Sequence, residues 1–350
     1  MDSGLSLREP RNDGDSEDRQ KNMQVTILFG GTNKERLVSV ASTQALHRAL
    51  PDAELWFWDV DDTVHAVTSE KLLGHARPFE VDFKPAGSGI TLEQALDKAG
   101  AEQRVLVFGL HGGRAENGEL QAMCEMRGVA FTGSGSASSH LAFDKPSAKR
   151  FAAIAGLNAP QGIGIEQIDD AFARHGKLIA KPAKDGSSYG LIFVNAKQDL
   201  VAVRNAARHE EYLIEPFVSG VEATCGVLEQ SDGAVFALPP IEIVPGEGAF
   251  DYTAKYLLKS TQEICPGRFA PDITAAIMDH ALRAHRALSC GGYSRSDFIV
   301  SANGPVYLET NTLPGLTAAS LYPKALKAQG IAFADFLNDQ IELARRRVRR

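Results

Sequence analysis

Short apolar runs alternate with amphipathic stretches along most of this chain, and the style of alternation changes part-way. Gln24–Phe29 (QVTILF) is a β-rich run closed by Gly-Gly, and Val38–Leu50 follows with helical spacing. Glu54–Trp58 and Arg104–Phe108 read as further strands, with helices around Leu92–Ala99 and Glu119–Arg127. Strands that alternate with helices predict an open, mostly parallel sheet covered on both faces. After about residue 133, strands crowd together at Leu178–Pro182, Leu191–Val194, Tyr212–Phe217, Val221–Leu228 and Val235–Ile243, as in antiparallel sheets. A helix over Ile273–Ser289 leads to strands at Tyr293–Val300 and Pro305–Glu309. Helices near Ser320–Gln329 and Phe333–Arg346 close the chain. The pattern predicts an α/β protein: a small α/β unit followed by two α+β pieces.

Composition narrows the class. The 350 residues are 44% hydrophobic and 23% charged, which suits a multidomain globular protein. A formal net charge of −7 gives the chain no electrostatic reason to seek nucleic acid, and no apolar run is long enough for a helical membrane span. The first 22 residues hold six acidic and four basic side chains and no apolar h-region, so they read as a flexible leader rather than a secretory signal. Five of the last six residues are arginines, read as a solvated helix end more readily than as a tail for an anionic partner. The four cysteines (Cys124, Cys225, Cys265, Cys290) lack metal-ligand spacing and read as reduced, mostly buried thiols. The expectation is a soluble, cytoplasmic protein.

Four constellations carry candidate chemistry. In Lys181-Pro-Ala-Lys-Asp-Gly-Ser-Ser-Tyr-Gly190 a strand delivers a lysine into a Gly/Ser loop, where backbone N–H groups and the Ser187 and Ser188 hydroxyls can close over phosphate oxygens. An ordinary hairpin turn accounts for the same letters. Arg295 and Asp297 lie two apart on one strand, as do Glu309 and Asn311 on the next, so each pair shares a face. If the strands pair, two carboxylates and an amide oxygen converge beside a guanidinium, a donor set suited to Mg²⁺. A solvated sheet face is the alternative. The turn Asn311-Thr-Leu-Pro-Gly315 then points backbone N–H groups where an oxyanion can sit. Lys145, Lys181 and Lys255 stand near loops or strand ends and, if they converge, neutralise a polyphosphate; singly, each reads as a surface lysine. Finally, Glu35 and His111 follow two strands at the edge where open α/β sheets bind ligands, although a helix-starting acid and a structural histidine fit the same positions.

Taken in order, these segments resemble the D-alanine–D-alanine ligases of the ATP-grasp superfamily. The resemblance runs from about Val25 to Ala344 through LFGGTNKERLVSV, GLHGGRAENGELQ, FTGSGSASSHLAFDK, AKPAKDGSSYG, LIEPFVSGVE, FDYTAKY, RSDF and LETNTLPGLTAAS. It implies an ATP-grasp fold with an N-terminal open parallel α/β domain. The implied units are a leader (1–22), an N-terminal substrate domain (23–133), a central subdomain (134–219), a C-terminal subdomain (220–344) and a basic tail (345–350). ATP is implied between the second and third domains, with Mg²⁺ or Mn²⁺. The implied substrates are ATP and D-alanine, and the family implies a homodimer with no membrane or nucleic-acid partner.

Residue by residue, the resemblance makes Glu35 the anchor for the first D-alanine ammonium, with Ser187 and Tyr256 closing over it. Lys145 and Lys181 become α/β-phosphate contacts, with Ser188 in the phosphate loop and Lys255 on the transferred phosphate. Glu215 and Val218 become the adenine hinge and Glu222 the ribose ligand. Asp297, Glu309 and Asn311 become metal ligands, and Arg295 and the Gly315 N–H an oxyanion hole. Ser320 and Leu321 receive the second substrate's carboxylate, with His111 nearby. Loops near 185–190 and 245–260 are expected to close before chemistry. The implied activity is D-alanyl-D-alanine synthesis through an acyl phosphate, for peptidoglycan, cell-wall biogenesis and cell shape. Asn117, Ala115, Phe143, Ser296, Thr310 and Phe250 depart from the usual family pattern without removing a catalytic side chain. A relative with a D-serine acceptor, or an inactive nucleotide-binding relative, stays open at this point; Tyr256 argues against D-lactate.

Overall fold

The structure, a computed structural model, describes residues 24–184, 190–245 and 261–348. The leader, the two closing loops for the most part, and the last two arginines therefore lie outside the described residues.

The first sheet contains β1 (Val25–Gly30), β2 (Glu54–Trp58), β3 (Thr63–Val67), β4 (Ile90–Thr91), β5 (Val105–Phe108) and β6 (Ala130–Phe131), in the order β4-β3-β2-β1-β5-β6. β1 pairs in parallel with β2 and β5, and β5 with β6. Its central strands are apolar on both faces because both are covered. Ile27, Phe29, Leu55 and Phe57 pack with Val40 and Leu46 of the Arg36–Ala49 helix and with Phe336, Leu337 and Ile341 of the last helix, Phe333–Arg347. Leu28, Trp56, Trp58, Leu106 and Phe108 face Leu92, Ala95 and Leu96 of the Leu92–Ala101 helix. β3 and β4 join antiparallel at one edge. They escape the sequence pattern because one is weakly alternating and the other two residues long.

β7 (Leu178–Pro182), β8 (Ile192–Val194) and β9 (Tyr212–Pro216) form a three-stranded antiparallel sheet with β7 in the middle. Leu178, Ala180 and Ile214 pack on Ile168, Ala171, Leu200 and Val203 of two short helices. Lys181 and Glu215 stand on the other face.

The third sheet joins β10 (Val221–Glu229), β11 (Val235–Ala237), β12 (Ile241–Val244), β13 (Gln262–Ile264), β14 (Tyr293–Ser301) and β15 (Gly304–Asn311). The single strand expected over Val235–Ile243 is in fact two, because Pro239 and Pro240 supply no ladder N–H. One face packs Ala223, Cys225, Val227, Phe298 and Tyr307 on the Pro271–Ala287 helix and on Ala152 of the Lys145–Ile154 helix. Among the described residues no helix is long and apolar enough to cross a membrane, and all four cysteines are free. The arginine-rich end is not simply solvated: Arg346 pairs with Glu342 at 3.0 Å, and Arg347 bonds the Gly133 carbonyl.

Candidate active site

One wall of the site stands on β14 and β15. Asp297 lies directly opposite Glu309, and Arg295 opposite Asn311, so all four side chains share the face turned away from the Pro271–Ala287 helix. A β-bulge makes this possible. The register steps from Asp297–Glu309 to Phe298–Tyr307, leaving Leu308 as the extra residue. Strict alternation would have put Glu309 on the core side with Tyr307. Instead Tyr307 shares that side with Thr310, to which it is hydrogen-bonded at 2.9 Å. The Ser296 and Thr310 hydroxyls, unusual for the resembled family, satisfy each other at 2.8 Å beneath this wall.

The charges on this face are paired. Arg295 donates to both oxygens of Asp297, at 3.0 and 2.9 Å, and Asn311 donates its amide to Asp297 Oδ2 at 3.2 Å. Thr224 on β10 donates to Asp297 Oδ1 at 2.6 Å. Glu222, two residues earlier on β10, shares the face of Thr224. The Lys145 ammonium stands 3.6 Å from Glu309.

The opposing wall is the face of the three-stranded sheet that carries Lys181 and Glu215. Lys181 lies 3.6 Å from Glu215 Oε2, and Lys149 lies 2.7 Å from Glu215 Oε1. Glu215 is fully enclosed. Burial and the neighbouring Lys181 push Lys149 down to about 8, against the opposing pull of Glu215. Lys145 is tied to this wall by its N–H, which donates to the Ala183 carbonyl at 3.1 Å. Val218, half-buried, follows β9 by two residues.

The N-terminal unit forms the third side. Glu35 precedes the Arg36–Ala49 helix and is buried. Gly112, at φ +62°, lies so close that a Cβ there would sit 1.8 Å from Glu35 Oε2. His111 Nδ1 meets the Leu313 carbonyl at 3.1 Å, and Nε2 meets Ser42 Oγ at 2.8 Å. A carbonyl only accepts, so Nδ1 carries the proton and Nε2 accepts from Ser42. Burial pushes His111 down to about 4, so the ring is neutral. Beside Glu35 opens a cavity of about 780 Å³ lined by Asn33, Glu35, Asn117, Phe143, Asp144 and Lys184 among others. At the far end, Ser320 precedes the Leu321–Ala328 helix, and its hydroxyl accepts from the Thr317 N–H at 3.1 Å. Gly315 lies against it, leaving only 2.8 Å between a Cβ and Ser320 Oγ.

Thus Lys145 with Glu309, Lys181 with Glu215, Arg295 with Asp297 and Asn311, and Gly315 with Ser320 are brought together. Ser187, Ser188, Lys255 and Tyr256 lie outside the described residues. Three residues that sequence reasoning passed over join the site. Lys149 carried a signal, four residues after Lys145 on one helix face. Glu116 and Thr224 carried none, since the Leu313 N–H that Glu116 accepts and the Asp297 carboxylate that Thr224 meets lie 197 and 73 residues away. Among the described residues no three His, Cys, Asp or Glu side chains are grouped to hold a metal. The candidate set is two carboxylates and an amide, hard oxygen donors placed together, and it fits a magnesium ion that keeps waters and shares phosphate ligands.

Comparison with known proteins places the chain. The family model described as D-ala D-ala ligase N-terminus matches residues 24–134, and that described as D-ala D-ala ligase C-terminus matches 175–342. The D-alanine--D-alanine ligase of Syntrophobacter fumaroxidans is 37% identical over 332 residues, covering 92% of this chain and 97% of the relative. The chain belongs to the D-alanine–D-alanine ligase family. Another member, from Halalkalibacterium halodurans, is 33% identical over 92% of this chain and 99% of its own. Among solved structures, the VanG D-Ala:D-Ser ligase from Enterococcus faecalis is similar with a TM-score of 0.75 and 28% identity, covering 92% of this chain and 99% of that one. The D-alanine--D-alanine ligase from Bacillus anthracis, complexed with ATP, is similar with a TM-score of 0.69 and 26% identity, over 93% of this chain and 98% of that one. The three sheets described above are thus those of a D-alanine–D-alanine ligase with the ATP-grasp fold.

Proposed function

We propose that this chain is an ATP-dependent ligase that joins two D-alanines into D-alanyl-D-alanine, the dipeptide used for peptidoglycan. The observation that carries the reading is the cross-strand pairing of Asp297 with Glu309, with Lys145 against one carboxylate and Arg295 against the other.

A carboxylate is a poor acyl donor, so the γ-phosphoryl of ATP first passes to the first D-alanine, and the amine of the second displaces phosphate from the acyl phosphate. Lys145 and Lys181, with Lys255, neutralise the phosphates as point charges. Asp297, Glu309 and Asn311 would hold Mg²⁺, which supplies charge neutralisation at the phosphate oxygens. Glu35, with Ser187 and Tyr256, anchors the first ammonium. Glu215 and Val218 take the adenine and Glu222 the ribose, with Ser188 in the phosphate loop. Arg295, released from Asp297, and the Gly315 N–H stabilise the tetrahedral oxyanion. The N-terminus of the Leu321–Ala328 helix, at Ser320 and Leu321, receives the second carboxylate. The unit boundaries implied by the family (23–133, 134–219, 220–344) and a cytoplasmic homodimer complete the reading.

The test is ADP release with Mg·ATP and D-alanine, run beside D-serine, D-lactate and L-alanine, with products weighed by mass spectrometry. Strong D-alanine-dependent release yielding the dipeptide is expected. Release only with another acceptor, or none at all, overturns the reading.

A further inference from the structure

Leu313 stands in the turn after β15, two residues before Gly315, and its peptide is gripped from both sides by the N-terminal unit. Its N–H donates to Glu116 Oε1 at 3.3 Å, and its carbonyl accepts from His111 Nδ1 at 3.1 Å. The other Glu116 oxygen accepts the Gly112 N–H at 3.1 Å, and the Ser42 hydroxyl fixes His111 from behind at 2.8 Å. Leu313 also buries its side chain among Leu110, Ala115 and Leu120. One carboxylate therefore spans the loop that packs on Glu35 and the turn that leads to Gly315. Both His111 nitrogens are engaged, so the ring acts on the site through the Leu313 peptide.

We propose that Glu116 is a positioning residue of the ligase reaction: supported by Ser42 through His111, it sets the Gly315 N–H against the loop that lies on Glu35. The proposal rests on the ligase reading and adds to it what holds the oxyanion donor in place. Such a donor is effective only if it is aimed before charge develops, and a turn at a strand end is not held by the ladder alone. A carboxylate suits the task because it accepts from two N–H groups at once. A glutamine has one acceptor oxygen and meets the second N–H with another donor.

The experiment is Glu116→Gln in the full chain. We expect kcat to fall about 10- to 100-fold, because a donor loses its acceptor and the oxyanion turn loosens. The KM for ATP should stay within about twofold, since the nucleotide wall is untouched. In the free protein, exchange of the Leu313 amide with D₂O should quicken about tenfold or more. Ser42→Ala should lower kcat more mildly, about three- to tenfold. Wild-type kcat in Glu116→Gln overturns the proposal. So does a loss spread equally over kcat, ATP affinity and melting temperature, which marks a merely structural residue. Should Glu116→Gln not fold, unchanged kcat in Ser42→Ala overturns it equally. The exchange readout needs no turnover. An inactive wild-type enzyme therefore removes the ligase reading, whereas unchanged Leu313 protection in Glu116→Gln removes the positioning role.

Discussion

Glu309 and Glu35 are proposed to serve the same reaction but are placed by different physics. Glu309 stands on a strand, opposite Asp297 in a ladder whose pleat and bulge decide which way it points. Glu35 sits in a loop after β1, and its carboxylate is located by Gly112, which comes from the loop after β5. The strand wall is aimed by local geometry repeated along two neighbouring segments. The loop wall is aimed by contacts between segments far apart, His111 with Leu313 being 202 residues distant. A strand wall therefore tolerates loss of one side chain without moving its neighbours, while a loop wall shifts as a unit.

Substitutions can break this contrast, beginning with the largest effect. Glu309→Gln removes the charge of a proposed metal ligand and leaves the ladder intact, so turnover should fall at least about a hundredfold with melting nearly unchanged. ADP release and thermal melting check this, and an unimpaired variant refutes the metal assignment. Gly112→Ala should act on position instead. The Gly112 backbone, at φ +62° and ψ 178°, is one that essentially only glycine adopts and costs about 1–3 kcal/mol with a Cβ, and the methyl must displace the Glu35 carboxylate. The KM for D-alanine is expected to rise about tenfold, with ATP little affected. Equal KM values would show that the loop wall is not coupled as described.

The smallest effect is on pH dependence, where one histidine reports on each region. His111 in the loop wall and His285 beneath β14, bonded to Ser294 at 2.8 Å, are both pushed down to about 4 by burial. Below the ordinary value of 6.5 the unfolded chain takes up protons that the folded one refuses. Stability should thus fall as pH drops from 6.5 toward 4 and level off below, each histidine contributing about 1.4 kcal/mol per pH unit across that window. Melting curves from about pH 7 to 4.5 measure the slope, and His285→Gln should reduce it. A slope unchanged by that substitution assigns the effect elsewhere.

Legibility followed the same division. The faces of Arg295 with Asp297, and of Glu309 with Asn311, were readable because a strand repeats every two residues. So were the mostly parallel first sheet, from strands that alternate with helices, and the lysine at the end of β7. The family itself was readable from the order of its segments. The bulge at Leu308 was not, because nothing in Tyr-Leu-Glu-Thr marks which residue the ladder will skip. Nor was the break at Pro239-Pro240 used, although two missing donors could have announced it.

What the amino-acid order determined by itself was the set of chemical groups and their local faces: three lysine-bearing segments, a carboxylate pair on neighbouring strands, and glycines where backbone or ligand must come close. Local periodicity decides those faces without reference to the rest of the chain. Tertiary structure alone decided which segments meet. It put Lys149 against Glu215, Thr224 against Asp297 and Glu116 against the Leu313 peptide. Those pairings depend on sheet order and on the packing of helices between sheets, and a partner dozens or hundreds of residues away leaves no periodic trace.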